Sequence, residues 1–222
     1  MPSQRPYRSS SDLPAVVPVF PLTGVLLLPR TRLPLNIFEP RYLAMIDDAM
    51  SDTRVIGLIQ PRVPGEDVTV HPPLSSVGCL GRIVEYSETE DGRYLITLLG
   101  IIRFRVAAER DVTTPFRQVA ADYAPFAADF RAGDEPDIAR KRLTAALKPY
   151  LDQREMKTDW RAILEAPAET LVNALAMLCP FEPAEKQALL EASGLKERAE
   201  ILTVLIEMAN ASSPTSGGNP VH

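Results

Sequence analysis

The sequence is poor in the residues from which most catalytic and metal sites are built. It contains two histidines, His71 and His222, and two cysteines, Cys79 and Cys179. Neither cysteine belongs to a CxxC pair, and two distant thiols cannot form the disulfide framework of a small secreted domain. A histidine-based triad or zinc site would depend on His71 alone. We therefore expect no metal, no cofactor and two buried, inert thiols.

The sequence also lacks motifs for phosphate binding and for nucleophilic catalysis. It contains neither a GxxxxGKS or GxxxxGKT loop nor GxGxxG, and no serine stands in the GxSxG context of a nucleophile elbow. Adjacent carboxylates such as Asp47 and Asp48 diverge in direction on a helix, which is typical of a solvated surface. We therefore predict that the chain is not an enzyme and has no catalytic residues.

Charge and hydropathy argue against two further classes of partner, nucleic acid and membranes. The 24 Lys+Arg and 29 Asp+Glu residues give a net charge of −5, so nucleic acid is not favoured as a partner. The N-terminus lacks the apolar region of a signal peptide. The longest apolar stretch, Val16–Leu28, is interrupted by Pro18 and Pro21 and is too short to cross a bilayer. We expect a cytoplasmic protein that does not associate with membranes.

The chain changes character once, near residues 125–135. Residues 14–125 carry β-branched and aromatic runs separated by proline and glycine, which predict short strands. Residues 126–210 carry apolar residues at helical spacing, and 1–13 and 211–222 read as disordered tails. The fold class is therefore α+β, an antiparallel β pseudobarrel followed by a helical bundle. The predicted strands are Val16–Phe20, Val25–Leu28, Leu33–Phe38, Val55–Gln60, Gly78–Glu88, Arg93–Gly100, Ile102–Ala107 and Phe116–Tyr123.

Turn and capping residues refine this assignment at a few positions. Asp91-Gly92 predicts a hairpin with a type I′ turn, and Pro40 predicts the first turn of a helix that continues to Met50. That helix carries Leu43, Ile46 and Met50 on one face. In the second half, the helices are predicted from proline and capping residues: Asp134 or Glu135 as a cap, a kink or stop at Pro149, a cap at Asp159, helix starts at Pro167 and Pro183, and a C-terminal cap at Gly194.

The most distinctive segment is apolar, rich in proline and close to the N-terminus. Between Phe20 and Tyr42 the sequence contains FPL, then LLP, then LPLNIFEPRY. This pattern resembles the opening signature of the N-terminal domain of Lon proteases, including its free-standing bacterial relatives. The resemblance covers residues 14–208. Further matching segments follow in order at Gly57–Ile59, Val77–Ile83, Asp91–Tyr94, Leu99–Arg105, Trp160 and Glu185–Glu191.

The resemblance implies a PUA-like β pseudobarrel, with one or two helices, followed by a helical subdomain. In Lon proteases this domain binds polypeptide and precedes an ATPase module and a Ser/Lys protease module. This chain ends before either module could begin, so we expect it to bind but not to cleave. The resemblance implies unfolded or tagged polypeptides as partners, with an ATP-dependent protease or chaperone as a further partner.

Recognition of exposed apolar segments requires an accessible apolar groove or an open strand edge, with a few polar anchors. The same early residues also fit a structural role, since Phe20, Leu35 and Ile37 alternate as core residues do, and Glu39 can pair with Arg41 at the helix start. The candidate peptide-binding residues are Phe20, Leu22, Phe38, Pro40, Arg41 and Tyr42, with Arg103 and Arg105 as anchors.

Two alternative functions remain open at the level of sequence. PUA-like barrels occur in RNA-binding proteins, and alternation places Arg103 and Arg105 on one strand face, but no lysine stands before residue 125 and two arginines can equally pair with Glu85 or Glu88. The helical half could instead dock on an ATP-dependent protease or chaperone. Neither alternative requires chemistry from this chain.

Overall fold

A computed structural model describes residues 7, 9–62, 72–131, 138–156 and 158–212. The chain divides into two compact units, one of residues 1–133 and 179–191 and the other of residues 134–178 and 192–222. The strands are β1 Val16–Pro21, β2 Arg32–Ile37, β3 Val55–Pro61, β4 Leu74–Glu88, β5 Tyr94–Glu109 and β6 Arg117–Asp122. The helices are α1 Pro40–Ser51, α2 Arg140–Gln153, α3 Trp160–Glu165, α4 Ala168–Leu178, α5 Pro183–Glu191 and α6 Leu195–Ser212.

Most of the two predicted tails lies outside the described residues. Where they are described, both contain structure: Ser10–Asp12 forms a 3-10 turn followed by the buried Leu13, and α6 continues through Ser212. Structure therefore extends into residues 9–13 and 211–212, which composition alone assigns to the tails.

The six strands form one sheet in the order β2-β5-β4-β3-β1-β6, and β6 also pairs with β5. This last pairing closes a five-stranded barrel, because β5 pairs with β4 along most of its length and with β6 at its end, while β2 pairs with its first part. The α+β class with a β pseudobarrel is confirmed. One pairing differs from the antiparallel prediction: β1 and β3 are parallel, joined by a crossover that includes α1.

The leucines predicted as the strand Val25–Leu28 instead form a buried loop. Leu26, Leu27 and Leu28 are almost fully buried, yet they make no strand pairing. The loop lies directly on the sheet where two glycines leave room: a Cβ on Gly81 would meet Leu27 and a Cβ on Gly100 would meet the Leu28 carbonyl oxygen. The apolar run is typical of a strand, but its role is to fill the space above glycine backbone.

The segments predicted as two strands around Gly100 are one continuous strand, β5. In the ladder with β4, Leu80 pairs with Ile102 and Gly81 pairs with Gly100, so Ile101 forms a bulge. Gly100 is therefore not a turn residue. Its missing side chain allows the loop backbone to approach, and Arg30 N donates to Gly100 O at 2.8 Å while Gly100 N donates to Thr31 O at 2.9 Å.

The β4–β5 hairpin is confirmed, but its turn is not type I′. A type I′ turn needs positive φ at both central residues, whereas only Gly92 has one, with φ 76°. Gly92 N donates to Thr89 O and Thr89 N donates to Arg93 O, each at 2.9 Å. This is the wider three-residue loop in which glycine follows the turn.

Helix α1 begins at Pro40 as predicted, with Glu39 as its N-cap residue. Its buried face differs from the prediction, because the fully buried residues are Tyr42, Met45, Ile46 and Ala49, whereas Leu43 and Met50 are only partly covered. The helix is therefore rotated so that the tyrosine, rather than the leucine, enters the core.

Helix α5 belongs to the sheet unit rather than to the helical unit predicted over residues 126–210. Gln60 at the end of β3 donates through Nε2 to Pro183 O at 3.0 Å and to Gln187 Oε1 at 3.2 Å. Gln187 Nε2 in turn donates to Val77 O at 3.1 Å. These polar contacts attach α5 to the barrel. They could not be predicted from the sequence of α5, because its apolar residues show little helical periodicity.

The second unit is helical, as predicted. Asp159 caps α3 by accepting hydrogen bonds from Arg161 N and Ala162 N. Pro149 does not end α2, which continues to Gln153 because Tyr150 and Leu151 beyond the proline are buried. Asp134 and Glu135, predicted as caps, lie outside the described residues, and α2 begins at Arg140.

We expect Gly100→Ala to lower the free energy of unfolding by about 3 kcal/mol, because the added Cβ would overlap the Leu28 carbonyl oxygen. Chemical denaturation followed by far-UV circular dichroism measures this change. Gly194→Ala is the matched control, since nothing lies within 4 Å of its Cβ position and its φ is not positive. Equal destabilisation by the two substitutions would contradict the close approach at Gly100.

Candidate functional site

An exposed apolar corner forms where β2 turns into α1. Phe38 is 62% exposed, and Pro40 and Arg41 beside it are exposed as well. Pro40 fixes the first turn of α1, which holds this short connection in place. The Arg93 guanidinium carbon lies 6.0 Å from the centre of the Phe38 ring. The corner therefore presents an exposed aromatic ring near Arg93, with Arg41 exposed three residues further along the chain.

Beneath the corner lies an aromatic pair that the sequence also indicated. The rings of Phe20 and Tyr42 lie 4.3 Å apart and both residues are buried. The Arg41 guanidinium carbon lies 4.5 Å from the Tyr42 ring centre, and Arg41 pairs with Glu39 at 2.8 Å. Burial, more than any neighbouring charge, raises the pKa of Tyr42. Phe20 and Tyr42 therefore support the corner from below and do not offer contact area themselves.

The tip of the β4–β5 hairpin extends the same surface. In the ladders, Leu95 pairs with Asn36 and Tyr94 pairs with Ile37, which puts Leu95 on the outer face of the sheet, where it is 45% exposed. Tyr94 points to the other face, where its hydroxyl donates to Asp47 Oδ1 at 3.0 Å. This hydrogen bond to the Asp47 carboxylate raises the pKa of Tyr94 well above its ordinary value. Leu95 thus adds a second exposed apolar side chain at the end of β2 that leads to Phe38.

The remaining predicted residues lie apart from this corner. Leu22 is partly exposed, and its N–H donates to Ile59 O at 2.9 Å. Arg105 is exposed and lies opposite Asp122 in the β5–β6 ladder. The structure therefore brings together Phe38, Pro40 and Arg41, with Phe20 and Tyr42 beneath them, and leaves Leu22 and Arg105 elsewhere.

Arg103, predicted as a surface anchor, lies in the core of the first unit with 3% of its surface exposed. Its guanidinium donates to both carboxylate oxygens of Asp129, at 2.9 and 2.8 Å, and to Leu190 O at 3.0 Å. The Phe126 ring centre lies 4.6 Å from its guanidinium carbon. The prediction that Arg103 is a surface anchor is therefore wrong. Arg103 instead joins β5 to the 3-10 segment Ala124–Phe130 and to α5.

This burial also removes the basis of the RNA hypothesis. That hypothesis required Arg103 and Arg105 side by side on an accessible strand face. Only Arg105 is exposed, and a single arginine opposite an aspartate is not a phosphate-binding surface.

The histidines, cysteines and acidic residues that were considered as candidate metal ligands or nucleophiles can be placed where the structure describes them. Within the described residues, no cluster of three or more histidine, cysteine, aspartate or glutamate side chains could hold a metal ion. Ser193 and Lys196 have the spacing of a Ser/Lys pair, but the Ser193 hydroxyl donates to Glu197 Oε2 at 2.5 Å. Cys79 and Cys179 are both buried. His71 and His222 lie outside the described residues.

The family profile described as ATP-dependent protease La (LON) substrate-binding domain matches residues 16–208. The chain belongs to this family. The match includes both the corner formed by Phe38, Pro40 and Arg41 and the helices of the second unit. It confirms the relationship that the segment from Phe20 to Tyr42 predicts.

Named relatives agree with membership of the Lon substrate-binding domain family. Lon protease 2 of Myxococcus xanthus is 28% identical over 210 residues, which is 89% of this chain and 24% of that protein. Lon protease of Desulfosudis oleivorans is 32% identical over 107 residues, 47% of this chain and 13% of that protein. The chain thus spans a quarter or less of the length of these relatives.

Solved structures support the fold. A Lon N-terminal domain protein from Xanthomonas campestris has a TM-score of 0.61 and 23% identity, and covers 85% of this chain and 97% of that chain. The N-terminal domain of Mycobacterium avium complex Lon protease has a TM-score of 0.56 and 17% identity, with 89% and 99% covered. In the part of this chain that is described, no helix has the length and apolar character needed to cross a membrane.

Sequence reasoning missed two residues at the corner, Leu95 and Arg93. Both residues belong to the predicted hairpin. Because the end of β2 pairs with the start of β5, the tip of that hairpin lies at the end of β2 that leads to Phe38. That register could not be read from the sequence, because β2 and β5 are separated by more than fifty residues.

We expect Asp129→Ala to destabilise the protein by about 3–5 kcal/mol, because it leaves the buried Arg103 charge without its carboxylate. Thermal or chemical denaturation measures the effect. Glu165→Ala is the matched control: it breaks the Arg161–Glu165 ion pair, whose side chains are 84% and 65% exposed, and should leave the unfolding midpoint nearly unchanged. If both substitutions have small effects, Arg103 is not the buried link described above.

Proposed function

We propose that this protein binds exposed apolar segments of unfolded or tagged polypeptides at the corner formed by Phe38, Pro40, Arg41, Arg93 and Leu95. The observation that supports it most is that Phe38 is 62% exposed within a segment belonging to the Lon substrate-binding domain family. An exposed aromatic residue held on rigid backbone costs little conformational entropy on binding. Anchors of this kind supply much of the energy in many interfaces.

The chemistry of the corner fits an apolar segment with polar ends. Phe38 and Leu95 offer apolar surface, while the exposed ion pairs Glu39–Arg41 and Asp91–Arg93 border it on two sides. Ion pairs at the rim contribute little affinity but limit which charged residues can lie nearby. Such a site would favour short apolar stretches exposed in unfolded chains over a charged surface.

The proposed role is binding without catalysis, in protein quality control or in the delivery of substrates. The profile match comprises the substrate-binding domain, which supports a role in binding. Two buried cysteines far apart in the sequence are in keeping with a reducing cytoplasmic location.

A second function, docking of the helical unit on an ATP-dependent protease or chaperone, is favoured by the surface of α6. Val204 and Met208 are exposed on this helix, and Ile201 and Leu205 beside them are partly exposed, so four apolar residues form a stripe at helical spacing. Pull-down from cytosolic extract with Val204→Asp and Met208→Asp tests it; unchanged recovery of a protease or chaperone would exclude docking by α6.

Capture of peptides from an array of overlapping 13-residue segments of an unfolded protein tests the main proposal. We expect Phe38→Ala to weaken capture by about tenfold or more, because it removes the most exposed aromatic ring of the corner. Arg41→Ala should cause a smaller loss. Leu164→Ala, which removes a leucine that is 60% exposed on α3 of the other unit, is the control and should leave capture intact.

Circular dichroism must show that each variant remains folded. If Phe38→Ala and Leu164→Ala bind the array equally well, the corner is not the site. If the wild-type chain captures no peptide at all, polypeptide binding itself is wrong.

A further inference from the structure

The strand β2 carries an open edge that leads directly into the Phe38 corner. Along one side, all six of its residues pair with β5. On its other side it has no strand partner among the described residues, because β2 stands at the end of the strand order. A free strand edge exposes a row of backbone N–H and C=O groups that can pair with another extended chain.

Two independent observations show which backbone groups face this edge. Gly100 N donates to Thr31 O at 2.9 Å, so the backbone of Thr31 is hydrogen-bonded to β5. Hydrogen-bonded pairs alternate along an antiparallel ladder, so the backbone groups of Leu33, Leu35 and Ile37 also face β5. The groups of Arg32, Pro34 and Asn36 therefore point outward. Pro34 supports the same assignment, because a proline has no N–H to donate and is tolerated in a sheet where its nitrogen faces an open edge.

The edge is accessible as well as unpaired. Arg32, Pro34 and Asn36 are all exposed, and no hydrogen bond of the described backbone reaches their outward groups. The Arg32 side chain does not cover them, because its Nη1 pairs with Glu85 Oε1 across the sheet at 2.7 Å. The edge thus offers two N–H donors, from Arg32 and Asn36, and three C=O acceptors.

We infer that a bound polypeptide adds to this edge as an extended strand, paired through its backbone with Arg32, Pro34 and Asn36 and ending beside Phe38. The inference rests on the proposed function and specifies its ligand as an extended, proline-poor apolar segment. Backbone pairing explains how one site can accept many sequences, since the main chain is common to all of them.

The flanking side chains define the composition of the segment. Leu33 and Leu35 are half-buried on the inner face of β2, while Pro34 and Phe38 lie on the outer face. Side chains of an added strand alternate between these two faces, and each face meets apolar surface. A segment of alternating or continuous apolar residues therefore fits, and a helical one does not.

A second copy of this chain is a poorer occupant of the edge than a foreign segment. In a symmetric antiparallel pairing of β2 with itself around Pro34, the two prolines would face each other and neither could donate a hydrogen bond. A proline-free peptide can satisfy the Pro34 carbonyl and the other outward groups together. The edge is therefore better satisfied by a proline-free segment of another protein than by β2 of a second copy.

The test uses the full chain and a fluorescein-labelled nonapeptide of alternating leucine and threonine with lysine at both ends, titrated by fluorescence anisotropy. Two isomers carry N-methyl groups on the leucine amides or on the threonine amides. We expect one isomer to bind at least about tenfold more weakly than the unmodified peptide, because the amides that face the edge can no longer donate hydrogen bonds. A peptide methylated on both the leucine and the threonine amides should show no binding.

Substitutions in β2 provide a second measurement on the protein side. Asn36→Pro deletes an outward N–H, whereas Asn36→Ala keeps it, so the proline variant should bind about fivefold more weakly than the alanine variant. Pro34→Ala restores a donor and should strengthen binding by about fivefold. A role for the side chains alone would produce neither effect.

The outcomes separate this inference from the proposed function. Equal binding of all methylated peptides, or no binding of the nonapeptide while the array still depends on Phe38, would overturn strand addition and leave polypeptide binding intact. Sedimentation showing a dimer that Asn36→Pro dissociates, with peptide affinity unchanged, would assign the edge to a second copy. Loss of all peptide capture would remove both.

Discussion

The close approach of the loop backbone at Gly100 sets the position of everything at the candidate site. The Leu28 carbonyl occupies the space of a missing Cβ, and the two hydrogen bonds between Gly100 and the residues Arg30 and Thr31 start the β2–β5 ladder. Because strand side chains alternate, this single register decides that Ile37 enters the core and that Phe38 leaves it. A shift by one residue would bury Phe38 and expose Ile37.

The sequence predicted the parts of this arrangement that depend on local chemistry. Pro40 and the preceding extended residues marked the start of α1, Asp91-Gly92 marked a hairpin, and the segment from Phe20 to Tyr42 identified the family. These features depend on residues close together in sequence, where turn preferences and capping operate. The identification of the fold needed no knowledge of distant contacts.

The errors arose where distant contacts override local preference. An apolar run such as Val25–Leu28 resembles a strand, and only the glycines far along the chain reveal that it is a buried loop. Gly100 itself resembles a break between strands for the same reason. Likewise α5 carries little apolar periodicity, so its attachment to the barrel through Gln60 and Gln187 could not be anticipated.

Arg103 and Arg105 show the same limit for charge. They are two residues apart on one strand, yet one lies in the core against Asp129 and the other is exposed opposite Asp122. The sequence does not distinguish an arginine that pairs with a carboxylate of the same chain from one that is free to contact a ligand. Among the candidate residues, those found exposed at the corner, such as Phe38 and Pro40, are ones whose exposure follows from local backbone geometry.

The corner and the open edge are contiguous, because Phe38 directly follows β2, and this continuity has a physical consequence for the proposed binding. An exposed phenylalanine alone offers a small apolar contact, and a free edge alone offers hydrogen bonds that water satisfies almost as well. When the two are contiguous on rigid backbone, the apolar contact excludes water from the nearest hydrogen bonds, and those bonds orient the apolar residues of the ligand. Pro34 then limits the strength of the edge by removing one donor, which reduces pairing between identical chains while leaving three acceptors for an unfolded one.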